Sequence, residues 1–426
     1  MEITVHTLSE VSRELEIQAT ADDLRPHFEK AYKAYQPKVD IKGFRKGKAP
    51  LDLVKKLYGD LIEQDSLQEI ATEFYRQAVK EKELKPIGDP ALIDLDYKKG
   101  EGVRFKIQYD IRPKIQLKDY KNVPVEKVMH TVDEQELEAE ILRLRRMNAA
   151  TEPATKVMDS EFIVTADLQD VDDANVPIIG KRNDNVRFYL SDEQLEQPFK
   201  DALKAAEVGG EYRVKFEHQH GDHSHSVNTI VKAKKIERVI LPELDDAFVA
   251  KITKDKVTTV EAFRKDLLDD LHAYWKSRSD RQVLNAITGE IIRRHDFQVP
   301  ESLVRSVLEG LLEEMKNEYP NKQLPANFDR EKFFQENRAY AVFQSKWALL
   351  REEIIRAENI QVSDDDLVKL AEEESAKIKI DKERLINYYK TSDQIRDRLV
   401  GDKLLKLLVD SAKITEVAEK QPVLNA

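Results

Sequence analysis

Hydrophobic and polar positions change period several times along the chain, and each change marks a predicted element. Ile3, Val5 and Thr7 alternate, and after Ser9-Glu10 the run from Val11 to Ala19 puts Leu15, Ile17 and Ala19 on one face, the pattern of a β-hairpin. Leu24, Phe28, Ala31 and Tyr35 recur at helical spacing behind Thr20, a predicted N-cap followed by Asp22 and Asp23 at the positive end of the helix dipole. The helical period resumes over Leu51 to Tyr58, and again over Leu61 to Lys82 through Leu67, Ile70, Ala71, Phe74 and Ala78. Gly88-Asp89-Pro90 predicts a break, and Val103, Phe105, Ile107, Tyr109 and Ile111 predict an antiparallel strand with one wet face. Residues 1–112 therefore read as an α+β domain holding two helices joined at a tip.

The pattern shifts beyond that point. Residues 113–149 carry Pro113 and Pro124, then a predicted helix over Val132 to Met147 whose narrow stripe of Leu137, Ile141 and Leu144 needs a partner surface. This segment reads as a connector. Short strands follow at Phe162–Thr165, Val186–Leu190, Tyr212–Phe216 and Val227–Ala233, around one helix from Phe199 to Ala206 that ends before Gly209-Gly210, so residues 150–241 form a β-rich domain. After Leu241-Pro242 everything reads as helix: Val260 to Arg294, a helix opened by Pro300, then Arg330 to Glu358, Ser363 to Lys377, Lys382 to Thr391 and Ser392 to Ala412. Phe333, Phe334, Tyr340, Phe343 and Trp347 gather on one of these helices, and the apolar stripes are broader than one partner helix covers. Residues 242–426 are expected to be an all-α domain with arms, and the whole chain a multidomain α+β protein.

Composition narrows what such a chain does. Of its 426 residues 41% are hydrophobic, 35% charged and 7% aromatic, a balance that suits thin, elongated elements rather than one compact globule. No cysteine occurs, which excludes disulfides, thiolate metal sites and a Cys nucleophile. Residues 1–7 lack a basic and apolar leader, and no apolar run approaches the ~18 residues of a membrane span, so a cytoplasmic protein without membrane contact is expected. The formal net charge of −11 argues against a general DNA or RNA binder, whose bulk charge opposes phosphate.

One stretch stands against that sign. Gln36 to Pro50 carries Lys38, Lys42, Arg45, Lys46 and Lys48 against Asp40 alone, bracketed by Pro37 and Pro50, with Gly43 and Gly47 able to turn tightly. It is expected to be an exposed tip with Phe44 at its apex, suited to a phosphate-rich surface where cations displace counterions and a ring stacks or fills a pocket. The competing reading is a ring folded back on a small satellite core among ordinary solvated lysines. His218, His220, His223 and His225, with Asp222 among them, have spacings that collect Ni²⁺, Zn²⁺ or Cu²⁺, set against a solvated hairpin turn that binds metal adventitiously. No metal or other cofactor is assigned. No phosphate-cradling Gly-Lys-Ser/Thr motif occurs.

Gly43-Phe44-Arg45-Lys46-Gly47-Lys48-Ala49-Pro50 resembles the ribosome-docking signature of the trigger factor family, bacterial chaperones stationed at the nascent-chain exit tunnel. The resemblance implies that residues 1–112 bind the ribosome and that Gly43, Phe44, Arg45, Lys46, Gly47 and Lys48 form the docking set, meeting ribosomal protein and rRNA. It implies that the 113–149 connector packs on the C-terminal domain and that residues 242–426 shelter nascent and unfolded polypeptides without ATP. Val299-Pro300-Glu301-Ser302-Leu303-Val304 and Ile360-Gln361-Val362-Ser363-Asp364 resemble arms that the family shares with SurA-type chaperones.

Residues 150–241 resemble the FKBP-type prolyl isomerase module of the same family. That chemistry needs an apolar, aromatic-lined pocket and neither nucleophile nor metal. Here the family's acidic-aromatic pair appears as Asp167-Leu168, and its Ile-Pro-Gly-aromatic floor as Glu196-Gln197-Pro198-Phe199. The degenerate pocket then comprises Asp167, Leu168, Phe188 or Tyr189, Phe199 and Leu203, and weak or absent peptidyl-prolyl cis-trans isomerase activity is expected. The family also implies links to protein transport and cell division, and homodimers of free molecules. An FKBP-type isomerase acting mainly as an enzyme, which needs an intact aromatic pocket, and a SurA-like periplasmic chaperone, which needs a leader, are the alternatives.

Overall fold

The computed structural model describes residues 1–419 except 173, 175, 221, 222 and 326, and for 218–220, 223–225 and 320 the backbone alone. The chain opens with β1 (Glu2–Thr7), β2 (Ser12–Thr20), α1 (Ala21–Tyr35), α2 (Leu51–Glu81), β3 (Pro86–Lys98) and β4 (Gly102–Ile111). The strands form an antiparallel sheet in the order β1-β2-β4-β3, with Leu15 opposite Ile107 and Ile17 opposite Phe105. These side chains are fully or almost fully buried, and α1 and α2 cover them with Leu24, Phe28, Leu67, Ile70 and Phe74. Thr20 caps α1 through a reciprocal capping box with Asp23, as its position in the sequence predicts.

Two expectations need correction here. The helical pattern interrupted between Tyr58 and Leu61 is one continuous helix of 31 residues, because Gly59 is buried with its α-carbon facing the Tyr32 hydroxyl and packing outweighs the propensity cost of a helical glycine. The break at Gly88-Asp89-Pro90 is a bulge instead: β3 runs through it, leaving register with β4 between Ile87 and Ala91 and again between Leu92 and Asp94.

The chain continues through β5 (Pro124–Met129), α3 (Glu134–Met147), β6 (Ala150–Ala154), β7 (Phe162–Val171), β8 (Pro177–Tyr189), α4 (Gln197–Leu203), β9 (Glu211–His220) and β10 (His223–Ile240). The last five strands make one antiparallel sheet in which β10 lies between β7 on one side and β6 and β9 on the other, with β8 beyond β7. Then come α5 (Asp246–Thr253), α6 (Val260–Arg294), α7 (Glu301–Glu318), α8 (Arg330–Ala357), α9 (Asp364–Ile378), α10 (Lys382–Thr391), α11 (Asp393–Ser411) and β11 (Lys413–Ala418), which pairs with β5. Ser363 caps α9 through a second capping box, with Asp366. The multidomain α+β class expected from the sequence is the one observed.

The elements gather into two compact units, Met1–Lys127 with Asp280–Glu416, and Val128–Ser279 with the chain from Val417. Within the first, Ile287 and Ile291 of α6, Leu350 and Ile354 of α8, and Leu404 and Leu408 of α11 close a core over Val123 and Val125. The α7–α8 pair adds Val304, Leu308 and Ala341, and the α9–α10 pair adds Leu367, Ala371, Leu385 and Tyr389. The N-terminal sheet meets α7 directly: the Asp110 carboxylate accepts the Ser302 N–H at 2.8 Å, and the Ser302 hydroxyl donates to the Ile87 carbonyl at 3.1 Å. Within the second unit, α4 lies on the five-stranded sheet, and Leu137 and Ile141 of α3 pack with Val249 of α5 and Phe263 of α6. Among the described residues no helix is long and apolar enough to cross a membrane.

Candidate docking loop and middle-domain pocket

The basic stretch joins α1 to α2, and its backbone is held at the base and open at the tip. Val39, Ile41 and Ala49 are buried in the N-terminal core, while Lys38, Lys42, Arg45, Lys46 and Lys48 are all exposed and Phe44 retains 43% of its surface. Phe44 therefore points outward rather than folding back on a satellite core. The Gln36 side-chain amide donates to the Ala49 carbonyl at 2.7 Å, and Gly47 N–H to the Val39 carbonyl at 3.4 Å, tying the two ends of the loop together. Gly43 and Gly47 take φ of +97° and +76°. At Gly47 a Cβ would also stand 3.1 Å from the Pro37 α-carbon and 3.2 Å from its carbonyl oxygen, so both strain and space reserve the position for glycine. None of the five cations forms an ion pair with a described residue.

Beneath the loop, a buried carboxylate fastens the two helices to the sheet. Glu63 of α2 accepts the hydroxyl of Tyr32 from α1, and that of Tyr97 from β3 at 2.6 Å. Burial first, and then the hydrogen bond to this carboxylate, pushes both tyrosine hydroxyls well above their ordinary range. Farther along the same helix Glu73 accepts from His27 and Lys30 of α1, each at 2.7 Å. The sequence reading passed over Glu63. Its signal was its place on the apolar stripe, four residues before the buried Leu67.

In the middle sheet Phe188, Phe199 and Leu203 meet in one core cluster, with Leu168 packed against it. The Phe188 and Phe199 rings stack with centroids 5.2 Å apart, and Phe216 meets Phe199 edge-on at 5.9 Å. Tyr189 points elsewhere, its hydroxyl donating to Glu161, which also accepts from Ser191 at 2.8 Å and Arg146 at 3.0 Å. Asp167 stands apart from the cluster. It accepts the Asn185 N–H at 3.0 Å and pairs with Lys234 at 3.2 Å and Arg182 at 3.0 Å, contacts that hold its carboxyl below the usual range, the Asn185 bond foremost. Glu196 is exposed at the N-cap of α4, so the burial cost of a charge in the pocket floor does not arise. The side chains of His218, His220, His223 and His225, and Asp222 entirely, lie outside the described residues.

Comparison with known proteins bears on the whole chain. A family model described as "Bacterial trigger factor protein (TF)" matches residues 1–144, and one described as "Bacterial trigger factor protein (TF) C-terminus" matches residues 259–410. The trigger factor of Chloroherpeton thalassium is 30% identical over 433 residues, covering 99% of each chain. That of Salinibacter ruber is 29% identical over 444 residues, covering 99% of this chain and 96% of the relative. A solved structure described by the words "Promiscuous Substrate Recognition in Folding and Assembly Activities of the Trigger Factor Chaperone" aligns with 96% of this chain and 99% of that one, at 18% identity and a TM-score of 0.48, a likeness too loose for residue-by-residue comparison. Two family models placed at the two ends and relatives matched from end to end agree: the chain belongs to the trigger factor family.

Proposed function

We propose that this protein is an ATP-independent chaperone of the cytoplasm that docks at the ribosomal exit tunnel through the 43–48 loop and holds nascent polypeptides against its helices. Residues 1–112 are the docking domain, 113–149 the connector, 150–241 a degenerate FKBP-like domain and 242–426 the client-holding domain. The observation that carries the reading is the loop: exposed cations without acidic partners among the described residues, and a half-exposed phenylalanine, on a base fixed by buried Val39, Ile41 and Ala49. A pinned base spares the loop much of the ordering cost of binding, and unpaired cations are free to replace counterions on rRNA. For client holding, the support is Tyr340 and Phe343 of α8, 50% and 37% exposed beside the closed α7–α8 seam, where each Å² of buried apolar area returns roughly 25 cal/mol.

Salt separates this reading from simple apolar adhesion. With five cations engaged, the logarithm of ribosome affinity should fall with the logarithm of salt at a slope of roughly −3.5 to −4.5, and Lys46→Ala should flatten it by about 0.7–0.9. Anisotropy of labelled protein titrated with ribosomes measures both. A slope near zero would leave no role for the cationic loop.

A second reading, prolyl isomerisation, draws on the stacked Phe188 and Phe199 with Phe216 across them. Leu168 in place of an aromatic, and Asp167 committed to Arg182 and Lys234, count against a working pocket. Turnover of a proline peptide in a protease-coupled assay should therefore be far below that of an ordinary FKBP enzyme. Comparable turnover would make the middle domain an enzyme in its own right.

A further inference from the structure

His130 lies between β5 and α3, far from the docking loop in sequence, and its ring is gripped on both edges. Nε2 stands 2.7 Å from a Glu136 carboxylate oxygen, and Nδ1 bonds the carboxylate of Glu419, just past β11. A neutral imidazole carries one N–H, so serving two carboxylates takes the imidazolium, with both nitrogens donating. The ring stacks on Trp275 of α6 with centroids 3.8 Å apart and planes 22° from parallel. The indole N–H donates to the other Glu136 oxygen at 2.6 Å, and the Arg278 guanidinium lies 4.8 Å over the same indole. Beside this, the Glu419 N–H donates to the Met129 carbonyl at 3.1 Å, so side chain and backbone close on the same point.

We propose that His130, Glu136 and Glu419 form a pH-sensitive clasp that fastens the end of the C-terminal strand to the start of the connector helix α3 and loosens when His130 loses its proton. The charged groups facing the ring are Glu136 from α3 and Glu419 from the C-terminal segment, with Arg278 reaching it through Trp275. His130 is only partly buried, with 23% of its side chain exposed. Burial disfavours the imidazolium, but the hydrogen bonds and charges of Glu136 and Glu419 more than offset it, so the net shift is upward from the ordinary 6.5. A raised histidine pKa contributes stability fully present below 6.5 and lost as pH rises through the folded-state value. The clasp is therefore shut in mildly acidic solution and opens toward alkaline pH. It is independent of the docking and client-holding reading.

The test uses the full chain and two readouts between pH 5.5 and 9. An imidazolium stacked on an indole quenches it, so tryptophan emission should rise with pH at a midpoint above 6.5. That transition should be absent in His130→Gln and kept in His272→Gln, which removes the histidine three residues before Trp275 on α6. Glu419→Gln, a change at an exposed residue, should move the midpoint down. Protection of the Glu419 amide against hydrogen exchange, corrected for intrinsic pH dependence, should fall roughly threefold across the same midpoint, the scale of a half-exposed charge pair. An emission midpoint at or below 6.5, the same transition in His130→Gln, or constant amide protection would each overturn the clasp.

Discussion

Glu63→Ala should destabilise the N-terminal fold by about 2–4 kcal/mol, a fall in melting temperature on the order of 10 °C. Glu63 is 7% exposed and is the shared acceptor for Tyr32 and Tyr97, so its loss strands two hydroxyls and opens a polar hole between α1, α2 and β3. The asymmetry between removing one partner and removing all of them gives a sharp control. Glu63→Leu combined with Tyr32→Phe and Tyr97→Phe leaves no orphaned group and should recover most of the loss. A triple variant as unstable as Glu63→Ala alone would show that volume, not hydrogen bonding, sets the cost.

The same network fixes an alkaline limit. Both tyrosines have folded-state values above the ordinary 10, by burial first and by the Glu63 bond next, so their contribution is complete below pH 10 and is lost as pH rises through the folded values. Tyr75, pushed up to about 12 chiefly by burial, acts in the same direction. Since α1 and α2 carry the basic loop between them, loss of this network should also blur the loop's geometry.

Elements whose signal is local were legible in the sequence. The hairpin, the Thr20 and Ser363 caps and the helix from Val260 to Arg294 depend on alternation, period and capping chemistry within a few residues, and all are observed. The misreadings came where distant partners override a local rule. Gly59 looked like a gap but lies under Tyr32, and Gly88-Asp89-Pro90 looked like a terminator but β4 holds the strand on both sides of a bulge. Strand β5 and the His130 cluster were invisible because their partners, β11, Trp275 and Glu419, lie more than a hundred residues away. At the basic loop the residue types, charges and glycines were all legible, whereas its anchoring through Val39, Ile41 and Ala49 was not, since three apolar residues in a polar loop have no period. In the middle domain the sequence grouped Asp167 with Phe188, Phe199 and Leu203, while alternation along β7 sets Asp167 on the face opposite the buried Ala166 and into ion pairs with Arg182 and Lys234.

Docking through the cationic loop is tested most directly by removing its tip and leaving its base. Phe44→Ala, Arg45→Ala and Lys46→Ala together truncate exposed side chains and leave Val39, Ile41, Gly47 and Ala49 in place, so the fold should be unchanged by circular dichroism and thermal melting. Two lost charges and one lost ring, at a surface where a few anchors carry most of the binding energy, should weaken ribosome binding by about 10–100-fold. In cosedimentation at physiological salt, the native chain is expected to pellet with ribosomes and the triple-alanine variant to stay in the supernatant. A folded variant that pellets as fully as the native chain would contradict docking through residues 43–48.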